Sequence, residues 1–337
     1  MLLASAEPLV DAYDLALVDL DGVVYRGSDV VAHAAESLDR ARSAGMGLVF
    51  VTNNASREPE SVAAQLVGLG IDADAAEVLT SAQVAVALLA EEVPPHARVL
   101  VVGGPGLLTA VRAAGFQVVG CAADRPDAVV QGFAPDVSWR ELAEAAYAIE
   151  RGARHVATNR DLTLPNEQGL APGNGSLVAA VVAATGVQPL SAGKPEPAMF
   201  RLAAAARGAT RPLVIGDRLD TDLAGARAAG FAGLHVLTGV SSARDAVLAP
   251  PPQRPDFLGA DLRSLHEAHP APERGPDGWW TCGGAAARVA DGSLDLRTDG
   301  AAPIDVARAA CAAAWSAADA GEPLDPATVP DLLVLDR

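Results

Sequence analysis

Short polar side chains gather at four places where an apolar run gives out. Leu15-Ala16-Leu17-Val18 ends in Asp19-Leu20-Asp21-Gly22, two carboxylates two residues apart. Gly47 to Val51 ends in Thr52-Asn53-Asn54, whose hydroxyl, amide and backbone N–H groups suit a phosphate or carboxylate oxygen. Gly193-Lys194-Pro195 sets a lysine between two residues that punctuate the backbone, and Leu213 to Ile215 ends in Gly216-Asp217-Arg218-Leu219-Asp220-Thr221-Asp222. Each place also has an ordinary reading: an Asp-Gly turn, a helix N-cap, a solvated lysine, acids drawn to a helix dipole. Capping accounts for one acid at the fourth place but not easily for three. Taken together, carboxylates with few nitrogen ligands nearby suit a hard cation such as Mg²⁺, and Mg²⁺ with a lysine neutralises a transferring phosphoryl group. A carboxylate can itself be the nucleophile, so the chemistry read from these residues is phosphoryl transfer through an aspartate.

Such residues need strand ends to stand on, because ligands of open α/β sheets bind beyond the carboxyl ends of the strands. Strands are expected at Leu15 to Asp19, Gly47 to Val51, Val99 to Val102, Ala128 to Gln131, His155 to Ala157 and Leu213 to Ile215. Helices are expected at 33–44, 57–69, 82–92, 105–114, 138–151, 174–185, 197–207 and 219–229. Strands alternating with helices give an α/β class with parallel sheets. Leu79–Ala82 and Gln188–Gly193 read as hinges; if the piece between them is an insertion, the first and third pieces share one sheet and the middle forms another. After Val240 the texture changes, with Pro250, Pro251, Pro252 and Pro255 and then a Pro/Gly-rich break at 270–278. The tail reads as a strand over Trp279–Val289, a turn at Asp291-Gly292, a strand over Ser293–Arg297 and a helix over Ile304–Ala318, a hairpin plus a helix too small to stand alone.

The 337 residues suffice for about two domains, and 50% hydrophobic against 20% charged residues excludes disorder of the whole chain. A net charge of −17 repels a phosphate backbone, which argues against nucleic acid and anionic membranes as partners. Cys121, Cys282 and Cys311 lie far apart with no metal-ligand spacing, as expected of reduced thiols in a cytoplasmic protein. Met1 to Val10 lacks the charge pattern of a secretory signal, and apolar stretches such as Val178 to Ala184 fall short of the ~20 residues of a membrane span.

The series Asp19-Leu20-Asp21-Gly22-Val23-Val24-Tyr25-Arg26-Gly27, Thr52-Asn53-Asn54, Gly193-Lys194-Pro195 and Gly216-Asp217-Arg218-Leu219-Asp220-Thr221-Asp222 resembles the haloacid-dehalogenase superfamily of phosphatases. All four motifs stand in that family's order, over residues from about 11 to 265. The spacing is similar to the nitrophenylphosphatase-like subfamily, whose large α/β cap lies between the second and third motifs. The resemblance implies a Rossmann-like parallel-sheet core at 1–82 and 189–268, an inserted cap at 83–188 and a small α+β extension at 273–337. It implies a Mg²⁺-dependent phosphatase in which Asp19 is the nucleophile and a metal ligand. Asp21 would bind the metal through its backbone carbonyl and serve as acid and base in the two half-reactions. Thr52, Asn53 and Asn54 would bind phosphoryl oxygens, Lys194 would offset charge on Asp19 and the phosphate, Asp217 would ligate Mg²⁺, and Asp222 would support Lys194 or the metal shell.

In the cap, Ala157-Thr158-Asn159-Arg160-Asp161-Leu162-Thr163-Leu164-Pro165 resembles the family's substrate-specificity loop. Leu164, with Thr163, would face the leaving group, while Asn159 and Asp161 shape the loop; all of them also fit the plain role of turn formers. Neither Thr163 nor Leu164 offers a charge to a second phosphate, which favours a small ester. Glycerol 3-phosphate is the preferred expectation, ahead of phosphoglycolate, pyridoxal phosphate and nucleoside monophosphates. The whole chain is similar to actinobacterial glycerol 3-phosphate phosphatases, whose tail resembles part of an acetyltransferase. The tail here shows no acyl-CoA phosphate-binding loop, so a packing or regulatory role is expected. A cap of this kind offers a homodimer surface, which the tail would obstruct if it lay there. The rival from another class is a dinucleotide-dependent oxidoreductase, prompted by Val99-Leu100-Val101-Val102-Gly103-Gly104-Pro105-Gly106. Leu108 and Thr109 stand where its fingerprint needs a further glycine. A silent scaffold is disfavoured because every motif position keeps its reactive side chain.

Overall fold

Apolar residues that run on without alternation make strands buried on both faces, and the chain forms its two parallel sheets from such runs. The computed structural model describes residues 1–166, 168–332 and 334. They fall into two compact units, one of Met1–Phe50, Leu69–Asp72 and Ala203–Arg337, the other of Val51–Gly68 and Ala73–Leu202.

In the first unit, parallel strands lie in the order Phe257–Gly259, Ala232–Val236, Pro212–Gly216 and Leu15–Asp19, with the strand that starts at Gly47 beyond. All five residues of Leu15–Asp19 and of Pro212–Gly216 are buried. Val18 lies opposite Ile215 and Gly216 opposite His235, so Asp19, Asp217 and the residues after Val236 leave the sheet at one level. The segment expected as a helix over 219–229 starts with a π-helical turn, Leu219–Leu223, before the α-helix Ala224–Ala229. Asp222 and Leu223 both donate their N–H groups to Arg218 O, the wider winding of a π-turn.

The tail belongs to this unit, and its expected single strand over Trp279–Val289 is corrected to two. Trp280–Cys282 and Ala285–Ala290 pair antiparallel, with Cys282 opposite Ala285, around Gly283-Gly284. Gly283 turns with φ +55°, and the Asp305 carboxylate occupies the place a side chain would need, so a glycine is required there. With Glu273–Arg274 and Ser293–Arg297 they make a four-stranded antiparallel sheet under the helix Pro303–Asp319. That helix is alanine-rich, which lets backbones approach closely. Its Ala307, Ala310, Cys311, Ala314 and Trp315 share one apolar cluster with Leu219, Leu223, Ala246, Val247 and Leu258. Burial pushes the Cys282 thiol up to about 11 and Cys311 higher still, so both are protonated and inert.

The second unit has five parallel strands in the order Leu190–Ser191, Arg154–Ala157, Ala128–Gln131, Arg98–Val102 and Gln117–Val119. Two of its helices begin at side-chain caps: Thr80 with Gln83, and Ser138 with Glu141, form reciprocal capping boxes. Thr163–Asn166 and Gly169–Pro172 pair as an antiparallel hairpin. The glycine-rich turn at 103–106 is packed with protein. A side chain on Gly106 would lie 2.8 Å from the Arg57 carbonyl, and its N–H donates to Ser56 O at 3.2 Å. Those glycines serve backbone-to-backbone contact, which removes the motif that prompted the dinucleotide reading.

His155, buried in this sheet with Nε2 3.1 Å from Gln131 Oε1, is pushed down to about 4 by desolvation. The unfolded chain therefore takes up a proton near pH 6.5 that the folded chain refuses until about pH 4. Its contribution is intact above pH 6.5 and is lost as pH falls through that window, by up to about 3 kcal/mol. His155→Gln is expected to flatten the stability profile between these limits, as read by urea denaturation at a series of pH values; an unchanged slope would count against it.

Candidate active site

Asp19 ends its strand, Asp217 follows the end of the neighbouring strand, and the π-turn folds Asp222 back beneath Gly216. Carboxylate oxygens of the three, all buried, lie within 4.8 Å of one another. Like charges at this range and burial repel unless a cation stands among them. Three hard oxygen donors with no nitrogen or sulfur ligand in the cluster fit Mg²⁺ or Ca²⁺ rather than a softer metal. Asp21 stands apart: it is exposed, bridged to Tyr25 at the turn after the strand, and its carboxylate is not in the cluster. Asp220, the third acid of its motif, forms a two-pronged surface pair with Arg218 at 2.8 and 3.1 Å.

The sheet order explains how Asp217 is held. Val240 N–H donates to Asp217 Oδ2 at 2.6 Å, Ser241 N–H donates to Asp217 O at 3.1 Å, and Arg218 N–H donates to Asp222 Oδ2 at 3.1 Å. Three glycines leave room for these carboxylates. A side chain on Gly22 or Gly239 would occupy the position of the Asp217 carboxylate, and one on Gly216 that of Asp222. Gly22 also turns with φ +82°, which makes it doubly a glycine position. Thr238 Oγ1 donates to Gly22 O at 2.6 Å, and the Arg26 guanidinium donates to Thr238 O. The loop 238–241 is thus part of the site, although no sequence motif marked it.

The second unit brings the other motif residues together. Asn53 donates from Nδ2 to Lys194 O and to Asp161 Oδ2, each at 3.1 Å, and its Oδ1 accepts from Lys194 N at 2.8 Å. Asn159 Nδ2 and Ser81 Oγ both donate to Asn53 O, at 2.7 and 2.6 Å. The Asn53 carboxamide therefore positions the backbone of Lys194, whose side chain is buried and which precedes a cis proline, Pro195. Gly193 is required, since a side chain there would lie 2.6 Å from Asn53 Oδ1 and 2.7 Å from Thr158 O. Thr52 is buried, and its Oγ1 accepts from Asn54 N–H at 3.1 Å, leaving its proton to donate outward. Asn54 Oδ1 accepts from Ser56 N and Oγ at 2.8 and 2.9 Å, so that side chain closes the turn. Asn159 and Asp161 are tied into the same loop by Asn159 Oδ1, which accepts from Asp161 N at 3.2 Å. Leu164 lies on the hairpin, 37% exposed, next to Thr163.

Comparison with known proteins places this geometry. A haloacid dehalogenase-like hydrolase family model matches residues 16–117, a related HAD-hydrolase-like model matches 191–265, and a GCN5-related N-acetyltransferase like domain matches 282–333. The chain is 47% identical over 315 residues to the D-glycerol 3-phosphate phosphatase of Mycobacterium tuberculosis, covering 92% of this chain and 88% of that protein. It is 38% identical over 235 residues to an acid sugar phosphatase of Staphylococcus aureus, covering 69% and 90%. Among solved structures, a glycerol phosphate phosphatase of M. tuberculosis in complex with magnesium superposes with a TM-score of 0.84 at 45% identity, covering 92% of each chain. A 4-nitrophenylphosphatase of Thermotoga maritima gives 0.71 at 29% identity, covering 77% and 98%. No helix among the described residues is long and apolar enough to cross a membrane.

Because the Asp217 carboxylate fills the space beside Gly239, Gly239→Ala is expected to displace it. Mg²⁺ affinity measured by calorimetry should fall at least about tenfold, the order of one lost charged hydrogen bond. Gly120→Ala, at a glycine with open space around it and, like Gly239, no left-handed φ, is the control for the glycine-to-alanine change itself; equal loss in both variants would remove the cradle as the cause.

Proposed function

The chain belongs to the haloacid dehalogenase-like hydrolases, and we propose that it is a Mg²⁺-dependent phosphatase that hydrolyses a small phosphate monoester, glycerol 3-phosphate first among them. The observation that carries the reading is the buried trio Asp19, Asp217 and Asp222, an oxygen-only donor set at the carboxyl ends of adjacent strands. Asp19, Asp217 and the Asp21 backbone carbonyl, with Asp222 beside them, would hold Mg²⁺, which would supply positive charge against which a phosphoryl group can be transferred.

An oxygen of Asp19 attacks phosphorus, the ester P–O bond breaks, and Asp21 gives its proton to the departing alkoxide. In the second half-reaction Asp21, now a carboxylate, takes a proton from water as that water attacks phosphorus. The Asp19–phosphorus bond breaks, inorganic phosphate leaves, and both aspartates return to their first state. An exposed Asp21 suits this exchange, since it must reach substrate and water in turn. The Thr52 hydroxyl donates to a phosphoryl oxygen and the Lys194 ammonium neutralises charge on phosphate and Asp19. Asn53 enters through its grip on Lys194, and Asn54 through the turn that presents Thr52.

Residues 1–82 and 189–268 are assigned to the catalytic core and 83–188 to the cap, whose hairpin presents Thr163 and Leu164 to the leaving group. Uncharged side chains of modest size there favour a glycerol-sized alcohol over a phosphorylated or aromatic one. The name of the 47% identical relative supports the same substrate. Three free thiols fit a cytoplasmic enzyme.

Phosphate release from a panel of small esters, with Mg²⁺ and with chelator, tests the reading. The highest kcat/KM is expected for glycerol 3-phosphate, with loss of turnover on chelation; a higher value for phosphoglycolate, pyridoxal phosphate or a nucleotide would displace the substrate and keep the aspartate mechanism. Asp19→Asn should lower kcat by at least about a thousandfold with an unchanged circular dichroism spectrum. Turnover near the wild-type rate in that variant would exclude Asp19 as nucleophile.

A further inference from the structure

The tail beyond residue 270 has no part in the chemistry above, yet it reaches the helix that follows the loop holding Asp217. That loop, Thr238–Ser241, is tied by hydrogen bonds of its own: Ser241 Oγ accepts from Leu219 N–H at 3.2 Å, and Thr238 O accepts from the Arg26 guanidinium. On its inner side Val240 N–H and the side-chain-free Gly239 receive the Asp217 carboxylate, and Thr238 binds Gly22 O. On its outer side Leu237 and Thr238 line a cavity of about 690 Å³ with Arg26 and Arg263, and with Ala243 and Arg244 of the helix that follows. The loop runs directly into the helix Ala243–Val247, capped by Ser242 and Asp245. The position of that short helix therefore bears on the carboxyl-terminal end of the loop, beside the loop's own hydrogen bonds.

Contacts from the tail hold this helix at both ends. Trp315, near the carboxyl end of the Pro303–Asp319 helix and 1% exposed, donates its indole N–H to Ala246 O at 3.0 Å. The Arg254 guanidinium lies over the Trp315 ring, 5.4 Å from its centre, and pairs with both Asp319 oxygens at 2.7 and 2.8 Å. Arg244 donates from Nε to Val329 O at 2.9 Å and from Nη2 to Pro326 O at 2.7 Å. Ala243, Ala246 and Val247 lie in one apolar cluster with Ala310, Cys311, Ala314 and Trp315. A five-residue helix has too little internal bonding to keep its own place, so these contacts decide it.

We propose that the carboxyl-terminal region is a brace for the metal site, in which Trp315 and Arg244 act as positioning residues by fixing the Ala243–Val247 helix and, through it, the Val240 N–H and Gly239 backbone that place Asp217. The inference rests on the metal reading of the Asp19, Asp217 and Asp222 cluster. The region matching a GCN5-related acetyltransferase-like domain thereby contributes rigidity where a backbone N–H holds Asp217.

Calorimetric titration of Mg²⁺ into the full chain, with melting temperature recorded alongside, tests this. Trp315→Phe removes the indole N–H and keeps an aromatic ring; Arg244→Met removes the two donations and keeps the stem. Each is expected to weaken Mg²⁺ binding between about threefold and tenfold, the range for one or two lost hydrogen bonds, with kcat recovering at saturating Mg²⁺. Lower melting temperature with unchanged Mg²⁺ affinity in both variants would overturn the brace and leave the metal reading standing. Absence of Mg²⁺ binding by the unaltered chain would overturn both.

Discussion

Three carboxylates held out of water within 4.8 Å of one another repel, and the surroundings of Asp19, Asp217 and Asp222 are arranged to bear that repulsion. Backbone N–H groups of Val240 and Arg218 point at the oxygens, glycines at 22, 216 and 239 leave the space they fill, and two parallel strands deliver them at one level. Without a cation the cluster is a liability; with one it is a preorganised site whose donors need not move when charge develops. The strand order, the π-turn and the loop after Val236 all serve this one electrostatic demand.

In the second unit hydrogen bonding takes the place of charge clustering. Asn53 holds Lys194 by both faces of its carboxamide, and Asn159, Asp161 and Ser81 hold Asn53 in turn. Both backbone groups of Lys194 are held by this network, which fixes the point from which its buried side chain starts. The loop that carries Asn159 and Asp161 leads directly into the hairpin with Thr163 and Leu164, so the residues read as choosing the leaving group share a framework with those read as binding phosphate.

On the proposed brace, the tail acts on the metal site mechanically, through packing and hydrogen bonds. Its sheet carries polar and charged groups outward, while its alanine-rich helix buries Trp315 in the first unit's apolar cluster. Polar donations from Trp315 and Arg244 then convert that burial into a defined position for a short helix. Apolar packing alone is not directional; the hydrogen bonds select one seat among several.

Much of this protein was determined by local sequence. Apolar runs of three to five residues became the expected strands to within a residue or two, and Asp19 and Asp217 beyond two of them entered the carboxylate cluster, while the Asp21 carboxylate did not. Both outcomes follow from burial and from chain position, which a sequence records directly. Asp222 was read as a supporting residue, and its entry into the cluster came from a π-turn that helical periodicity does not distinguish from an α-turn. Thr238, Gly239 and Val240 were invisible for a different reason: they act through a hydroxyl, a missing side chain and a backbone N–H. Pairing of those groups with Gly22 and Asp217, some 20 to 216 residues away, exists only once the sheet is assembled. Likewise Asn53 carried the signature of a phosphate cradle, and only the folded loop showed its carboxamide committed to Lys194. Side-chain chemistry and strand periodicity are written along the chain, whereas the partners that orient each group are set by three-dimensional neighbours.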